Sequence, residues 1–138
     1  MRTKGRSGAR RLAMQALYQG QIGGHSLEEL REQYSVVPEY KLCETEYFDS
    51  LLSQTHEHRE RLDNDISEYG DIPAVQLDPV EHAVIWIALA EMHFHDDVHA
   101  NVIINEAVEL AKQFGAEGGY RFVNGLLDKA GQNIRPAA

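Results

Sequence analysis

Residues 78–95 constrain the fold of this chain more than any other stretch. Asp78 is a predicted N-cap, Pro79 takes the first helical position and Glu81 lies in the first turn, the arrangement that favours a helix start. The residues from Val80 to Ala90 are then apolar on nearly every side of a helix. Such a helix is stable in water only when neighbours cover it on several sides. The sequence therefore predicts a central helix within a bundle.

The rest of the chain repeats the helical period, and no segment of useful length alternates apolar and polar residues. Ser26 and Glu29 have the spacing of a capping box, which starts a helix at Leu27. Predicted helices cover about 9–21, 27–34, 44–69, 78–95, 101–114 and 120–130, and the third is expected to divide near 56–60. We therefore predict an all-α compact bundle of six or seven helices.

The length of 138 residues fits one domain, so residues 1–138 are expected to form a single helical domain. The glycines near the N-terminus predict a flexible basic arm over residues 1–8, and residues 132–138 are expected to form a loose tail. Cys43 is the one cysteine, which excludes an internal disulfide and a cysteine zinc cluster. With no apolar run of the ~18 residues that a membrane span needs, and no signal-like start, a cytoplasmic location is expected.

The net charge of −9 argues at first against a nucleic-acid partner. The charge is unevenly distributed, however, because residues 1–11 carry five basic side chains and no acidic one, while the remainder carries 8 basic and 22 acidic. Since charges are screened over roughly 8 Å at physiological salt, a phosphate at the arm interacts mainly with the arm. Composition alone leaves two readings open, a solubilising tail and a short arm for RNA phosphates.

Residues 93–99 contain three histidines and two aspartates, ligand types that zinc or nickel prefers. His93 and His95 lie about 200° apart around a helix, so they cannot share one ion while that segment is helical. A polar turn is the favoured reading. We find no nucleophile elbow, phosphate-cradling glycine loop or dinucleotide fingerprint. No catalytic residue, metal or cofactor is therefore expected.

The sequence leaves two roles open for four aromatic residues, base stacking and core packing. If they are exposed, they can stack on nucleobases; at helical spacing they also fit a core. These residues are Tyr18, Tyr69, Tyr120 and Phe122.

Three segments carry a resemblance to a known family: residues 10–19 (RRLAMQALYQ), 104–112 (INEAVELAK) and 122–129 (FVNGLLDK). Together, in this order and at this spacing, they resemble the NusB family of bacterial transcription antitermination factors. The likeness covers nearly the whole chain and includes the Ile-Arg-Pro of residues 134–136. It implies an all-α fold in two small subdomains.

The resemblance also implies a function without chemistry. Members of this family pair with NusE, a small-subunit ribosomal protein, to hold boxA RNA. With other Nus factors they help RNA polymerase pass terminators, notably in ribosomal RNA operons. Carried onto this chain, the resemblance assigns Glu81 to the protein partner's side. It assigns RNA contacts to Arg6, Arg10, Arg11, Tyr18, Tyr69, Arg121, Phe122 and Lys129.

Other functions remain open at the level of sequence. The alternatives are a helical protein-interaction module whose basic arm is only a tail, and a small metal-dependent enzyme built on the 93–99 histidines. The sequence also leaves the oligomeric state open, including a homodimer formed through the RNA surface.

Overall fold

The computed structural model describes residues 2–136, with the backbone alone described for residues 2–4. Met1 of the predicted arm and Ala137 and Ala138 of the predicted tail lie outside the described residues. Over the described range the chain is all-α, as predicted, and contains no strand. A short 3-10 helix covers Ala74–Gln76. The α-helices are α1 (Arg2–Gly23), α2 (Leu27–Tyr34), α3 (Pro38–Leu42), α4 (Thr45–Glu57), α5 (Arg59–Gly70), α6 (Pro79–Phe94), α7 (Ala100–Phe114) and α8 (Gly119–Ile134).

The predicted central helix is α6. Its N-cap is Asp78, whose side chain accepts a hydrogen bond from the Val80 N–H at 2.9 Å. Every residue from Glu81 to Met92 is buried, because α6 contacts α1, α4, α5, α7 and α8. The apolar circumference read from the sequence is thus covered on all sides, which confirms that prediction.

The helices form two groups that share α6. In the first group, α1 packs against α2, α3 and α4; in the second, α8 packs against α5 and α7. Because α6 touches members of both groups, the buried side chains form one continuous core rather than two. This arrangement brings the outer face of α1 close to the end of α7 and the first turn of α6.

Local sequence signals located several boundaries correctly. The capping box of Ser26 and Glu29 is present, and α2 begins at Leu27. The long third segment divides at His58, which ends α4 and precedes α5. Residues 2–136 contain eight α-helices rather than six or seven, because the sequence pattern does not predict α3. That helix has five residues and Pro38 at its first position, and so short a segment shows no helical period.

Both predicted chain ends differ from the structure. The first helix begins at Arg2 rather than near Ala9, so residues 5–8 of the predicted arm are part of α1. They are held against the body because the Glu44 N–H donates to the Gly5 carbonyl at 3.1 Å and the Ser7 hydroxyl donates to Glu106 at 2.6 Å. These tertiary bonds replace the flexibility that glycine composition suggests.

The last helix does not end at Gly131 but continues to Ile134. Gly131 is buried there, where a larger residue would reach Met92 and Ile104. The guanidinium of Arg135 then donates to the carbonyl oxygens of Glu91, Met92, His95 and Val98 at 2.6–3.1 Å. Arg135 therefore caps the C-terminal end of α6, where a cation is favourable. Residues 132–135 are ordered by this contact and are not a loose tail.

Candidate nucleic-acid interface

Arg10, predicted to contact RNA phosphate, is buried instead. Its guanidinium donates to both carboxylate oxygens of Glu91 at 2.8–3.0 Å and to Glu106 at 3.1 Å. Only 2% of the residue is exposed. Burial by itself lowers the pKa of Arg10, but the hydrogen bond and the charge of Glu91 outweigh it and raise the pKa above its ordinary value. This corrects the prediction: the geometry of Arg10 is that of a structural ion pair.

Tyr47 completes the same buried network. Its hydroxyl donates to the Glu91 carboxylate, and burial together with the negative charge of Glu91 raises the pKa of Tyr47 above its ordinary value. Arg10 on α1, Tyr47 on α4, Glu91 on α6 and Glu106 on α7 thus join four helices through one set of charged hydrogen bonds. The network fixes α1 against the bundle and thereby positions the residues on its outer face.

Arg6 lies one turn before Arg10 and is also paired. It donates to Asp97 at 3.1 Å, lies 3.7 Å from Glu44 and has its guanidinium carbon 4.6 Å from the centre of the Tyr47 ring. The hydrogen bond from Arg6 lowers the pKa of Asp97. A phosphate that binds Arg6 must therefore compete with two carboxylates of the protein.

The outer face of α1 is accessible. Arg11, Gln15, Tyr18 and Ile22 are all exposed and recur at the spacing of one helix face. Arg11 stands over Phe114 at the end of α7, with 5.4 Å from its guanidinium carbon to the ring centre. Tyr18 is 40% exposed, so of the two roles left open for it, the surface role is the one that the structure supports.

A groove of about 500 Å³ runs beside this face. It lies where α1 meets α2, the first turn of α6 and the end of α7. Its lining residues are mostly apolar or aromatic: Met14, Gln15, Tyr18, Gln19, Ile22, Gly23, Tyr34, Val80 and Phe114. We call this feature the Tyr18 groove.

The remaining predicted RNA residues lie on or against α8. Arg121 and Lys129 are exposed, and Phe122 is half-buried on the same face of α8 as Lys129, two turns away. A Cβ added to Gly70 would lie 3.0 Å from Phe122, which places the Phe122 ring against the end of α5, next to Tyr69. Tyr69 is half-buried, and burial raises its pKa.

A chain of cation–aromatic contacts connects α7 with α8. Lys112 and Arg121 flank the ring of Tyr120 at 5.0 Å and 5.7 Å from its centre. Lys112 precedes Phe114 by two residues on α7, so this chain of contacts leads from the Arg11–Phe114 pair to the start of α8. The predicted residues thus form two groups, one on α1 and one on α8, joined by the end of α7.

Glu81, predicted to face a protein partner, lies beneath the α7–α8 loop. Its carboxylate accepts a hydrogen bond from the Ala116 N–H at 2.8 Å. A Cβ on Gly115 or Gly119 would collide with that carboxylate, so both glycines are required for its close approach to the loop. Burial raises the pKa of Glu81, and the Ala116 hydrogen bond opposes that shift. The arrangement holds the Glu81 carboxylate against the backbone of the α7–α8 loop.

The histidines of residues 93–99 have separate protein neighbours. His93 bonds Asp65 at 2.7 Å, and His95 bonds Gln54 at 2.8 Å, whereas His99 is the N-cap residue of α7 and is exposed. Within residues 2–136, no three histidine, cysteine, aspartate or glutamate side chains are grouped as a metal site.

Sequence reasoning missed several members of the surface. Neither Phe114 nor Gln15 is among the residues that the sequence assigns to an RNA surface. Asp97 and Glu44 were not recognised as counter-ions of Arg6. Helical spacing does indicate that Arg6 and Arg10 face inward, because they are four residues apart on the face of α1 that carries the buried Ala13.

Comparison with known proteins gives consistent results. The sequence profile of the NusB family matches residues 7–132. The transcription antitermination protein NusB of Shewanella pealeana is 40% identical over 129 residues, which cover 94% of this chain and 96% of that protein. Among solved structures, a T. maritima NusB is 26% identical, with a TM-score of 0.81 and coverage of 92% of this chain and 90% of the other.

A second solved structure contains antitermination factors NusB and NusE in complex with dsRNA. It is 26% identical, has a TM-score of 0.82 and covers 96% of this chain and 98% of the other. Over residues 2–136, no helix combines the length and apolar character needed to cross a bilayer.

Proposed function

Because this chain belongs to the NusB family, we propose that it is a transcription antitermination factor that binds boxA RNA together with NusE. With other Nus factors it helps RNA polymerase read through terminators, notably in ribosomal RNA operons. The related structure that holds NusB, NusE and dsRNA supports both partners.

The observation that carries the RNA-binding role is the outer face of α1. Arg11 and Tyr18 are exposed there, while Arg6 and Arg10 on the same helix are paired inward. A cation next to an exposed aromatic ring is the combination that binds single-stranded RNA, since one meets phosphate and the other stacks on a base. We assign RNA contacts to Arg11 and Tyr18 on α1.

The α8 group extends this proposed surface. Arg121 and Lys129 are exposed cations, and Phe122 and Tyr69 are half-buried aromatic residues whose remaining surface is available for stacking. Arg6 contributes only when RNA displaces Asp97, and Arg10 is not assigned a contact because its donors are used within the protein.

The protein partner is proposed to dock near Glu81. The chain beyond residue 11 carries 22 acidic and 8 basic side chains, which complements a basic ribosomal protein. A carboxylate held beneath the α7–α8 loop by Ala116 provides one anionic contact for it.

The proposed role requires no bond-making step. We therefore propose that the protein is not an enzyme and acts in the cytoplasm, where transcription takes place.

The test is a titration of boxA RNA and of a scrambled RNA with the purified protein, with and without NusE. We expect tighter binding of boxA than of scrambled RNA, and a further increase in affinity when NusE is present. Equal affinity for both RNAs under both conditions would instead favour a protein-interaction module without RNA binding.

A further inference from the structure

We propose that the Tyr18 groove is a pocket for one unstacked base of single-stranded RNA, with Gln15 and Phe114 as specificity-determining residues. This inference rests on the proposed RNA-binding function and assigns a ligand to a groove that the predicted RNA residues touch only through Tyr18. Its volume of about 500 Å³ falls within the range of small-ligand sites.

The walls of the groove have the chemistry that a nucleobase requires. Tyr18 and Phe114 both line it, and aromatic rings stack on any base. Gln15 is exposed on the same wall and offers an amide donor and acceptor to the edge of a base. Gln19 is fixed in place, because it accepts from the Tyr34 hydroxyl at 2.7 Å and donates to Gln33 at 2.8 Å.

The lining of the groove carries no charged side chain, so it does not repel the phosphates of RNA. None of its lining residues is aspartate or glutamate, although the chain contains 22 of them. Three other surface grooves each have at least one carboxylate in their lining: Glu39 in the first, Glu57, Glu60 and Asp63 in the second, Glu106 and Glu109 in the third. RNA entering those grooves would bring its phosphates toward like charge, and the Tyr18 groove avoids that cost.

Arg11 is the cation next to the Tyr18 groove, although it lines the neighbouring grooves of Glu39 and of Glu106 and Glu109 and not the Tyr18 groove itself. It is exposed and stands over the Phe114 ring at 5.4 Å, so it can contact the phosphate of a nucleotide whose base lies beside that ring. A basic protein partner would gain nothing from an acid-free groove bordered by an arginine. The groove therefore fits RNA better than it fits the basic partner proposed for the acidic faces.

The test compares Phe114→Leu with the wild-type protein on a boxA-like RNA in which each base is removed in turn. Loss of one stacked base is worth about tenfold in affinity. We expect Phe114→Leu to lower the affinity for intact RNA by about that factor. The variant should not change the affinity for RNA that lacks the one base bound in the groove. Phe94→Leu is the matched control, since Phe94 also lies beneath an arginine, at 5.9 Å from Arg61, but outside the groove.

Gln15→Glu provides a second variant that leaves packing unchanged, because Gln15 is exposed. It adds a carboxylate to the acid-free wall and should weaken RNA binding, whereas circular dichroism should show unchanged helix content.

If wild-type protein binds boxA RNA but no base removal abolishes the Phe114→Leu effect, the base pocket is wrong while the proposed function stands. If Phe114→Leu weakens only NusE binding, the groove is a protein site. If the wild-type protein with NusE binds no boxA RNA, the proposed function itself fails.

Discussion

At the scale of single residues, three arginines within one stretch of α1 have three different environments. Arg10 is buried in an ion pair, Arg6 is paired with carboxylates near the surface, and Arg11 is exposed over an aromatic ring. Charge counting assigns them one role, but Arg6 and Arg10 share the inward face of the helix, and Arg11 is turned about 100° away. The face of the helix, and not proximity in sequence, decides which of them can meet RNA.

We predict that Glu91→Gln destabilises the fold by about 3–5 kcal/mol, because a neutral amide replaces the carboxylate that pairs with the buried Arg10 guanidinium and only Glu106 remains as its charged partner. Urea unfolding followed by circular dichroism measures the change. Glu109→Gln is the control, since Glu109 forms an exposed pair with Lys112 at 3.7 Å, and such pairs are worth at most about 1 kcal/mol. Equal losses in the two variants would contradict the structural role of Glu91.

Asp97→Asn should strengthen RNA binding. The substitution removes the charge that holds Arg6 at 3.1 Å, so that only Glu44, at 3.7 Å, still competes with a phosphate for the guanidinium. Filter binding over a range of salt should show higher affinity and a slope of log K against log salt that is steeper by about 0.7. Asp96→Asn removes the same charge at the neighbouring exposed position; if both variants raise affinity equally, net charge and not Arg6 is responsible.

At the scale of elements, the α7–α8 junction keeps a carboxylate in an unfavourable environment. Glu81 is buried beneath the loop, and Gly115 and Gly119 provide the space that it occupies. The Ala116 N–H offsets part of the cost of burial. A charged group retained at such a cost is better explained by a partner's cation than by the stability of the free protein.

The raised pKa of Glu81 predicts that the stability of the protein depends on pH. Because its folded pKa is raised, the folded state holds the proton more tightly than the unfolded chain. Stability from this group is therefore lost as the pH rises from about 4.3 through the folded pKa. We predict that the free energy of unfolding of the wild type falls relative to that of Glu81→Gln over this range, and that Glu81→Gln weakens NusE binding.

Glu117→Gln serves as the control for this measurement, since Glu117 is exposed in the same loop. Its stability should follow that of the wild type across the pH range. Parallel pH curves for Glu81→Gln and the wild type would mean that the Glu81 carboxylate carries no burial cost.

At the scale of the whole molecule, the two proposed partners correspond to two sets of charges. The net charge is −9, yet Arg11, Arg121 and Lys129 are exposed near the proposed RNA surface. Intramolecular pairing with Asp97, Glu91 and Glu106 withdraws Arg6 and Arg10 from the basic segment. The free protein should therefore bind RNA weakly and depend on a basic companion for full affinity.

The number of exposed cations predicts how RNA binding depends on salt. The three exposed cations, with Arg2 and Lys4 added from the sequence, give three to five phosphate contacts. At about 0.7 per contact for single strands, we predict a slope of log K against log salt between about −2 and −3.5 for the protein alone. Arg11→Ala should flatten the slope by about 0.7, while Lys41→Ala on α3 should not change it. A slope near zero would exclude phosphate contacts.

The sequence predicted most of the fold because its signals are local. The cap at Asp78, the capping box at Ser26 and the apolar circumference of α6 each depend on neighbouring residues, and each is confirmed. Contacts between distant residues were the ones missed. Nothing near Gly131 indicates that it packs on Met92, and nothing near Arg135 indicates that it caps α6.

In the candidate site too, residues with local signals were predicted, and those that depend on contacts between distant residues were not. Tyr18 and Arg11 were identified from residue type near a basic segment, and both are exposed. Phe114 was missed because its place beneath Arg11 depends on how α7 packs against α1. Arg10 was misassigned because its partner Glu91 lies 81 residues later in the chain.

The buried pairing of Arg10 with Glu91 also limits how this sequence can drift over evolutionary time. A change at either position alone strands a charge inside the bundle, so an intermediate with only one replacement is poorly viable. Among relatives the two positions should consequently vary together or not at all, with Tyr47 and Glu106 tending to follow them. Arg11 has no carboxylate partner among the side chains that the structure describes, so it is under no such coupling, and if it contacts RNA as proposed, its identity should follow the RNA.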